Sequence, residues 1–422
     1  MNVKQQDRSP DIRPAVAGSA GFLPAFEGMR GAAALGVMLT HVAFQTGEVT
    51  DTVLGRVWGR FDLSVALFFA LSGYLLWRPH SRAARGFSDP PRIARYVRHR
   101  LVRIMPAYLV VVILVLLLLP EARASNAQVW LANLTLTQVY TPFTLVEGLT
   151  QMWSLSVEMA FYLALPLIAV LLARLRGRYA GWRIPVILLT AVASLAWKYV
   201  PIETAAGVHH DNWLPGYLSW FAAGMILAEL AVAPAPAVVR IVRVRFVMPI
   251  AALTAFAVSV SPLAGPPGLV ELHPREYAVK IFCGAVLGFA LLAPIALAEP
   301  GHRHRILASP AGLMVGRWSY GIFLWHVAIL MVAFPILGVP AFSGYMIPVL
   351  AVTVVLSLAV ASVSYALVEE PSRRALRGWE ARKKELGERP SVVHTVHVLP
   401  EPRLHGGKAA ITTAVTAKKA SS

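Results

Sequence analysis

The chain of 422 residues is 57% hydrophobic and only 14% charged, with a mean hydropathy of +0.60, and so exceeds the roughly 45–50% apolar content of soluble domains. This excludes an ordinary soluble globular protein, and a single cysteine, Cys283, excludes an intramolecular disulfide and a cysteine-rich metal site. The net charge of +17 would suit a nucleic-acid partner in its total, but its placement along the chain assigns it to membrane topology.

The first 21 residues are polar, lack an apolar h-region and read as a cytoplasmic leader. The apolar run from Phe22 has no small-residue cleavage site after it and reads as a retained helix. Runs close to the roughly 20 residues that cross a bilayer then recur. Ten spans are predicted, at about 22–44, 61–78, 103–120, 150–172, 184–200, 212–231, 246–263, 277–297, 311–338 and 345–369. The predicted fold is therefore all-α, a polytopic membrane helix bundle of about ten transmembrane helices. The stretch around 125–145 is amphipathic, too polar to cross, and reads as an interfacial or re-entrant loop. It contains a weak glycosylation sequon, Asn133-Leu134-Thr135. Cys283 falls in an apolar run and reads as a packed residue. After Glu370-Pro371 the chain turns polar. RRALRGWEARKKELGE predicts a short surface helix, and the end from about 390 predicts disorder. The domain reading is a leader at 1–21, a membrane domain at 22–372 and a basic cytoplasmic tail at 373–422.

Lys and Arg set the orientation. With the N-terminus inside, the inner segments include the leader, the tail and the basic stretch 78–103, while the outer loops hold only Arg56, Arg60, Arg123, Lys198, Arg275 and Lys280. Both termini are thus expected in the cytoplasm and the chain in the cytoplasmic (inner) membrane. Nucleic acid is not needed to explain the basic charge. The basic segment 91–108 suits two roles, attraction to anionic lipid headgroups and a phosphate-binding surface.

Ionisable residues inside spans mark pathways or reactions. Arg30 and His41 lie eleven residues apart in the first span. At about 100° per residue they share a face, roughly 16 Å apart along the axis. A cation at one end and an imidazole at the other suggest an anchor for an anionic ligand and a separate proton-transfer centre. In the fourth span Ser154, Glu158 and Tyr162 follow at i, i+4 and i+8, on one face. In the ninth, Ser319 and His326 nearly share a face. Depth estimates at about 1.5 Å per residue bring His41, Glu158 and His326 to a similar level from three helices. Glu158 also suits a structural partner for a cation, and His326 a packing role between Trp325 and Phe323. Arg317, nine residues before His326, either lines the same path or snorkels to the inner surface.

Six blocks together resemble the membrane acyltransferase 3 family, the integral-membrane O-acyltransferases of surface polysaccharides, lipids and macrolides. Arg30 and His41 match its arginine, ten residues, histidine signature. FFALSGYLL (68–76), with Ser72 and Gly73, resembles its second-helix motif. RHRLVRIMPAY (98–108) resembles its basic stretch, and WSLSVEMAFYLALP (153–166) its Trp-Ser-Leu, Glu, Phe-Tyr block. GRWSYGIFLWH (316–326) resembles its Ser-Tyr, Leu-x-His block, and YALVEEP (365–371) its terminal Glu-Pro. The resemblance implies an acyl-CoA donor, commonly acetyl-CoA, and a hydroxyl acceptor on a cell-envelope carbohydrate or glycolipid, or on a macrolide.

CoA carries several phosphates, and arginine forks suit phosphate. The expected donor-binding set is Arg30, Ser72, Gly73, Arg98, Arg100, Arg103 and Arg317. The expected reacting set is His41 as general base, Glu158 as orienting or charge-balancing group, Ser319 or Tyr320 as oxyanion donor, and His326. A covalent acyl-histidine is a second route. No metal is expected. The lipid bilayer, acyl-CoA and the acceptor are the expected partners, with envelope-biosynthesis proteins as possible associates. Two other classes fit the same residues. One is a transporter or exporter of a lipid-linked or small anionic substrate, although no inverted repeat is evident. The other is an assembly subunit whose polar groups hold helices together.

Overall fold

The structure, a computed structural model, describes residues 24–268, 270–299 and 304–388. No strand occurs among them. The helices in chain order are α1 (Pro24–Gln45), α2 (Val53–Arg60), α3 (Ser64–Ala84), α4 (Ile93–Leu118), α5 (Ala127–Leu134), α6 (Trp153–Leu171) and α7 (Arg183–Leu195). They continue with α8 (Leu214–Val232), α9 (Pro236–Arg243), α10 (Val247–Val260), α11 (Pro274–Ala296), α12 (Pro310–Leu337), α13 (Met346–Ser364) and α14 (Glu370–Glu388). A π turn, Tyr365–Glu369, joins α13 to α14. The described residues as far as Leu376 form one compact unit, and those from Arg377 onward form a second. The leader at 1–21 and the end expected to be disordered from about 390 lie outside the described residues.

Seven segments are long and apolar enough to cross a bilayer: Val53–Ala84, Ile93–Leu118, Thr150–Arg174, His210–Val232, Pro274–Ala296, Pro310–Leu337 and Met346–Lys384. Helices α9 and α10, bent by 76° at their junction, make an eighth if counted as one span. Two of the ten expected spans fall outside this set for physical reasons. Helix α7 has 13 residues, about 20 Å of helix against a hydrocarbon core of about 30 Å. Helix α1 has 22 residues, but glycines, alanines and the polar side chains of Glu27, Arg30 and His41 dilute its apolar run. The loop around 125–145 contributes only the eight-residue α5, capped by Asn126, whose Oδ1 accepts the Val129 N–H at 2.9 Å. Asn133 of the sequon is fully buried and donates to the carbonyls of Val129 and Thr144 at 2.9 and 2.8 Å, which leaves it inaccessible to a glycan.

Small residues bring the helices into register. Helices α1 and α12 lie side by side and run parallel. Gly31 and Gly316 meet there, and a Cβ on Gly316 would collide with the Glu27 carbonyl. Further along the same two helices His41 reaches His326. Helices α3 and α8 cross at Gly73 and Gly224, where a Cβ would strike the Phe221 and Ala70 carbonyls respectively. Such close backbone approach is how membrane helices associate without a hydrophobic gradient between protein and lipid. Helix α12 begins at Ser309, whose Oγ accepts the Gly312 N–H at 3.1 Å with Pro310 in the first turn, and ends at Gly338 with φ +65°.

A buried ion network ties α3, α7 and α8 together. Glu229 has no exposed surface. Its Oε1 accepts from Trp77 Nε1 and Arg183 Nε, both at 2.7 Å, and its Oε2 from Ser81 Oγ at 2.9 Å and Arg85 at 2.5 Å. The Arg183 guanidinium also lies 4.7 Å from the Trp77 ring centroid. Removing one member of such a network strands the others' charge in a low dielectric. Glu229→Leu is expected to destabilise the folded chain by about 3–5 kcal/mol, read as a lowered thermal midpoint in detergent. An unchanged midpoint would show that the network is dispensable.

Candidate active site

The polar residues expected on α1, α3, α4, α6 and α12 form two groups. The first surrounds a narrow cavity of about 60 Å³ lined by Arg30, Ser72, Arg103, Glu158, Ser319 and Tyr320, among others. Helical spacing delivers Ser154, Glu158 and Tyr162 together, since all three face this cavity from α6. Glu158 Oε1 accepts from Ser72 Oγ and from Tyr162 Oη, the latter at 2.5 Å. The Arg100 guanidinium lies 5.8 Å from the Tyr162 ring centroid. Arg30 pairs with Glu27 on its own helix at 3.2 Å. The cavity thus carries two guanidiniums, Arg30 and Arg103, with a third beside it, against the carboxylates of Glu158 and Glu27. That balance favours an anion.

The second group is a histidine pair. The His41 and His326 rings meet edge to face at 5.0 Å between centroids. His41 Nδ1 lies 2.8 Å from the Val37 carbonyl oxygen, and His326 Nδ1 lies 2.8 Å from that of Phe323. A carbonyl only accepts, so each Nδ1 carries the proton. His326 Nε2, left with a lone pair, lies 3.4 Å from His41 Nδ1, a weak contact at the long end of hydrogen bonding. His41 Nε2 therefore also holds a lone pair, and it is the free basic nitrogen of the pair. His326 is fully buried, whereas His41 is partly exposed.

Contrary to the depth estimate, which put Glu158 level with His41 and His326, Glu158 does not join the histidines. The estimate started the fourth span at the membrane surface. In the structure the segment leading into α6 is already buried. Gln151 donates to the Leu324 carbonyl at 2.9 Å, close to His326 in the chain, and Met152 has no exposed surface. Glu158, further along, is thereby carried past the histidines to the Arg30 end. There Ser72 and Tyr162 hold it.

The remaining expected residues separate by role. The Gly73 backbone faces Phe221, which makes Gly73 a packing residue of the α3–α8 crossing. Tyr320 donates to the Ile104 carbonyl at 2.9 Å, so its proton is already committed. Ser319, 4% exposed and on the cavity wall, has no hydrogen-bond partner among the described residues. It is the better placed of the two to donate to a ligand. Arg317 is exposed and outside the cavity lining, as snorkelling requires. Arg98 is partly buried on α4 and also outside the lining. Among the described residues no group of three His, Cys, Asp or Glu side chains is placed to hold a metal ion.

Two aromatic residues outside the expected donor-binding and reacting sets also face the cavity. Phe68 and Phe323 both line the cavity and pack edge to face at 6.0 Å. The spacing Ser319, Phe323, His326 puts Phe323 on the inward face of α12, and that signal was available in the sequence.

The Acyl_transf_3 family model, an acyltransferase domain, matches residues 23–368. The chain is 26% identical over 342 residues to the acyltransferase MdmB of Streptomyces mycarofaciens, covering 75% of this chain and 81% of that protein. It is 25% identical over 394 residues to the peptidoglycan O-acetyltransferase OatA of Listeria monocytogenes, covering 84% of this chain and 56% of that protein. It is also 25% identical over 392 residues to the O-acetyltransferase OatA of Staphylococcus aureus, covering 86% of this chain and 59% of that protein. The chain therefore spans a little over half the length of these two relatives. No solved structure matches it.

Proposed function

Since the chain belongs to the Acyl_transf_3 family of acyltransferase domains, we propose that it moves an acyl group, acetyl in the simplest case, from acyl-CoA to a hydroxyl of a cell-envelope carbohydrate or glycolipid. One observation carries the reading. The same two parallel helices, α1 and α12, present a cationic cavity at one end (Arg30, Ser319) and a histidine with a free basic nitrogen at the other (His41, beside His326). Both OatA relatives are named O-acetyltransferases, which supports the acetyl group, and the Listeria protein is named for peptidoglycan, which supports a carbohydrate acceptor.

In this reading Arg30 and Arg103, with Arg100 beside them, hold the donor's phosphates by charge-assisted bonds. Glu158 keeps Ser72 and Tyr162 in place and balances the guanidiniums. His41 Nε2 takes the proton of the acceptor hydroxyl. The oxygen attacks the thioester carbonyl, a C–O bond forms and the C–S bond breaks. The proton held by His41 then passes to the leaving thiolate. Ser319, on the wall of the same cavity as Arg30, is the proposed hydrogen-bond donor to the CoA held there, away from the reacting carbonyl at His41. His326 accepts weakly from His41 Nδ1 and steadies the ring. The basic loops further support a chain that crosses the inner membrane about ten times, with α1 and the α7 region included and both termini cytoplasmic. They also support a division into leader (1–21), membrane domain (22–372) and basic tail (373–422).

Mass spectrometry of envelope glycans and glycolipids from cells with and without the gene tests the proposal. Loss of one acyl unit from one class is the expected result. Unchanged acylation, together with substrate flux across proteoliposomes in the absence of any acyl donor, would establish a transporter instead.

A further inference from the structure

The helix face that carries His41 continues past it, away from the donor cavity. Gln45 follows four residues later, so the two side chains share a face of α1, about 6 Å apart along the axis. Gln45 is partly exposed, and its amide has no hydrogen-bond partner among the described residues. Arg30, on the cavity wall, lies towards the opposite end of the same helix.

The loop 338–345, between α12 and α13, is fastened to this end of α1. Helix α12 continues for eleven residues beyond His326, whereas α1 ends four residues beyond His41, so α12 outlasts its neighbour by about 10 Å. The chain turns at Gly338 and comes back to α1. The Phe342 N–H donates to the Gln45 carbonyl at 2.8 Å, and the Gly344 N–H to that of Thr46 at 2.9 Å. The Phe342 ring meets that of Phe44 edge to face at 5.9 Å. Phe342 has φ +59°, a region uncommon for a bulky side chain, and 61% of it is exposed. Such a conformation persists only where the surroundings impose it, and ligand clamps are among the places where this happens. Two backbone bonds thus hold an open aromatic ring beside an open amide, one helical turn past the free base.

We propose that Gln45 and Phe342 form the acceptor subsite, and that they hold one sugar ring of the envelope carbohydrate or glycolipid against His41. The inference rests on the acyltransferase reading above. A sugar ring carries hydroxyls around its edge and C–H groups on its faces. The Gln45 amide has a carbonyl and an NH2, so it accepts from one hydroxyl and donates to its neighbour. The Phe342 ring packs on a C–H face, which meets the negative face of its π-system. One helical turn separates Gln45 from His41, a gap that a single sugar ring spans, so a hydroxyl on the far edge reaches His41 Nε2. Both residues bind the acceptor and take no part in the proton transfer.

The test uses the full-length chain in nanodiscs with acetyl-CoA and the glycan or glycolipid found by the envelope comparison, stripped of its acyl groups by mild alkali. Gln45→Ala is expected to raise the acceptor KM by about three- to tenfold, as the loss of neutral hydrogen bonds does. Phe342→Gly suits the positive φ and keeps the backbone of the loop, and is expected to raise the acceptor KM by about tenfold. Phe342→Tyr, which keeps the ring, should stay near wild type. Acetyl-CoA KM should hold nearly constant in all three, because the phosphate contacts lie on the arginines. An acceptor KM unchanged in both Gln45→Ala and Phe342→Gly overturns the subsite alone and leaves Phe342 as an anchor at the membrane interface. Equal rises in the acceptor and acetyl-CoA KM would mark a general distortion and overturn it too. A wild-type chain that acetylates no such acceptor overturns both the functional reading and the subsite.

Discussion

Replacing His41 with alanine is expected to lower the rate of acyl transfer by about 10²–10⁴-fold, the usual contribution of a positioned general base. The expectation follows from which nitrogen is free. The Val37 carbonyl holds the Nδ1 proton at 2.8 Å, so Nε2 is left as a base without a competing partner among the described residues. The loss should fall on kcat, with acyl-CoA KM nearly unchanged, because Arg30 and Arg103 grip the donor elsewhere. His326→Ala is expected to cost less catalysis, since Val37 alone still fixes the tautomer of His41. It should cost more stability, because it empties a fully buried site between α1 and α12. Single-turnover kinetics with purified variants, paired with thermal melts, separate these effects. Wild-type turnover in His41→Ala would remove this histidine from the mechanism. A His326 variant as inactive as the His41 variant yet fully stable would move the base to His326.

What the sequence disclosed follows from periodicity. A spacing of eleven on α1, four on α6 and seven on α12 is enough to put Arg30 with His41, Ser154 with Glu158 and Tyr162, and Ser319 near His326, each on one helix face. The structure keeps this relation on α6, where Ser154, Glu158 and Tyr162 line one cavity. Relations between helices were not legible, because they depend on where each helix starts in depth. The buried approach to α6, pinned by Gln151 on the Leu324 carbonyl, shifts Glu158 away from the histidines by an amount that no hydropathy window reports. The Glu229 network was overlooked for a similar reason. Arg183, Arg85 and Glu229 are far apart in the chain, and Arg85 lies in the basic stretch 78–103 that reads as ordinary inner-loop charge. Gly73 sits in a recognisable motif, but only the backbone of Phe221 opposite it reveals that it serves helix packing. The number of spans was the least legible property. A polar helix such as α1 and a short one such as α7 cross or do not cross by virtue of their neighbours.

Arg30→Ala should raise the acyl-CoA KM by about 10–100-fold with a smaller change in kcat, since a charge-assisted hydrogen bond contributes roughly 1.5–3 kcal/mol. Among the described residues Arg30 pairs only with Glu27, at 3.2 Å and on its own helix, so most of its donors remain for a ligand. Arg103→Ala should behave in the same way, because it lines the same cavity. Arg30→Lys should recover only part of the affinity, as an ammonium lacks the planar fork. The inhibition constant of free CoA should rise in step with KM if the arginines hold the phosphates, whereas a defect in the acceptor site would leave it unchanged. Arg317→Ala serves as the control. Its side chain is exposed and outside the cavity, so neither constant should move. If Arg317→Ala weakened CoA binding as much as Arg30→Ala, the donor would have to run along the outside of α12. The cavity between Arg30 and Glu158 would then be a packing defect between helices, and the charge pattern on α1 would need another explanation.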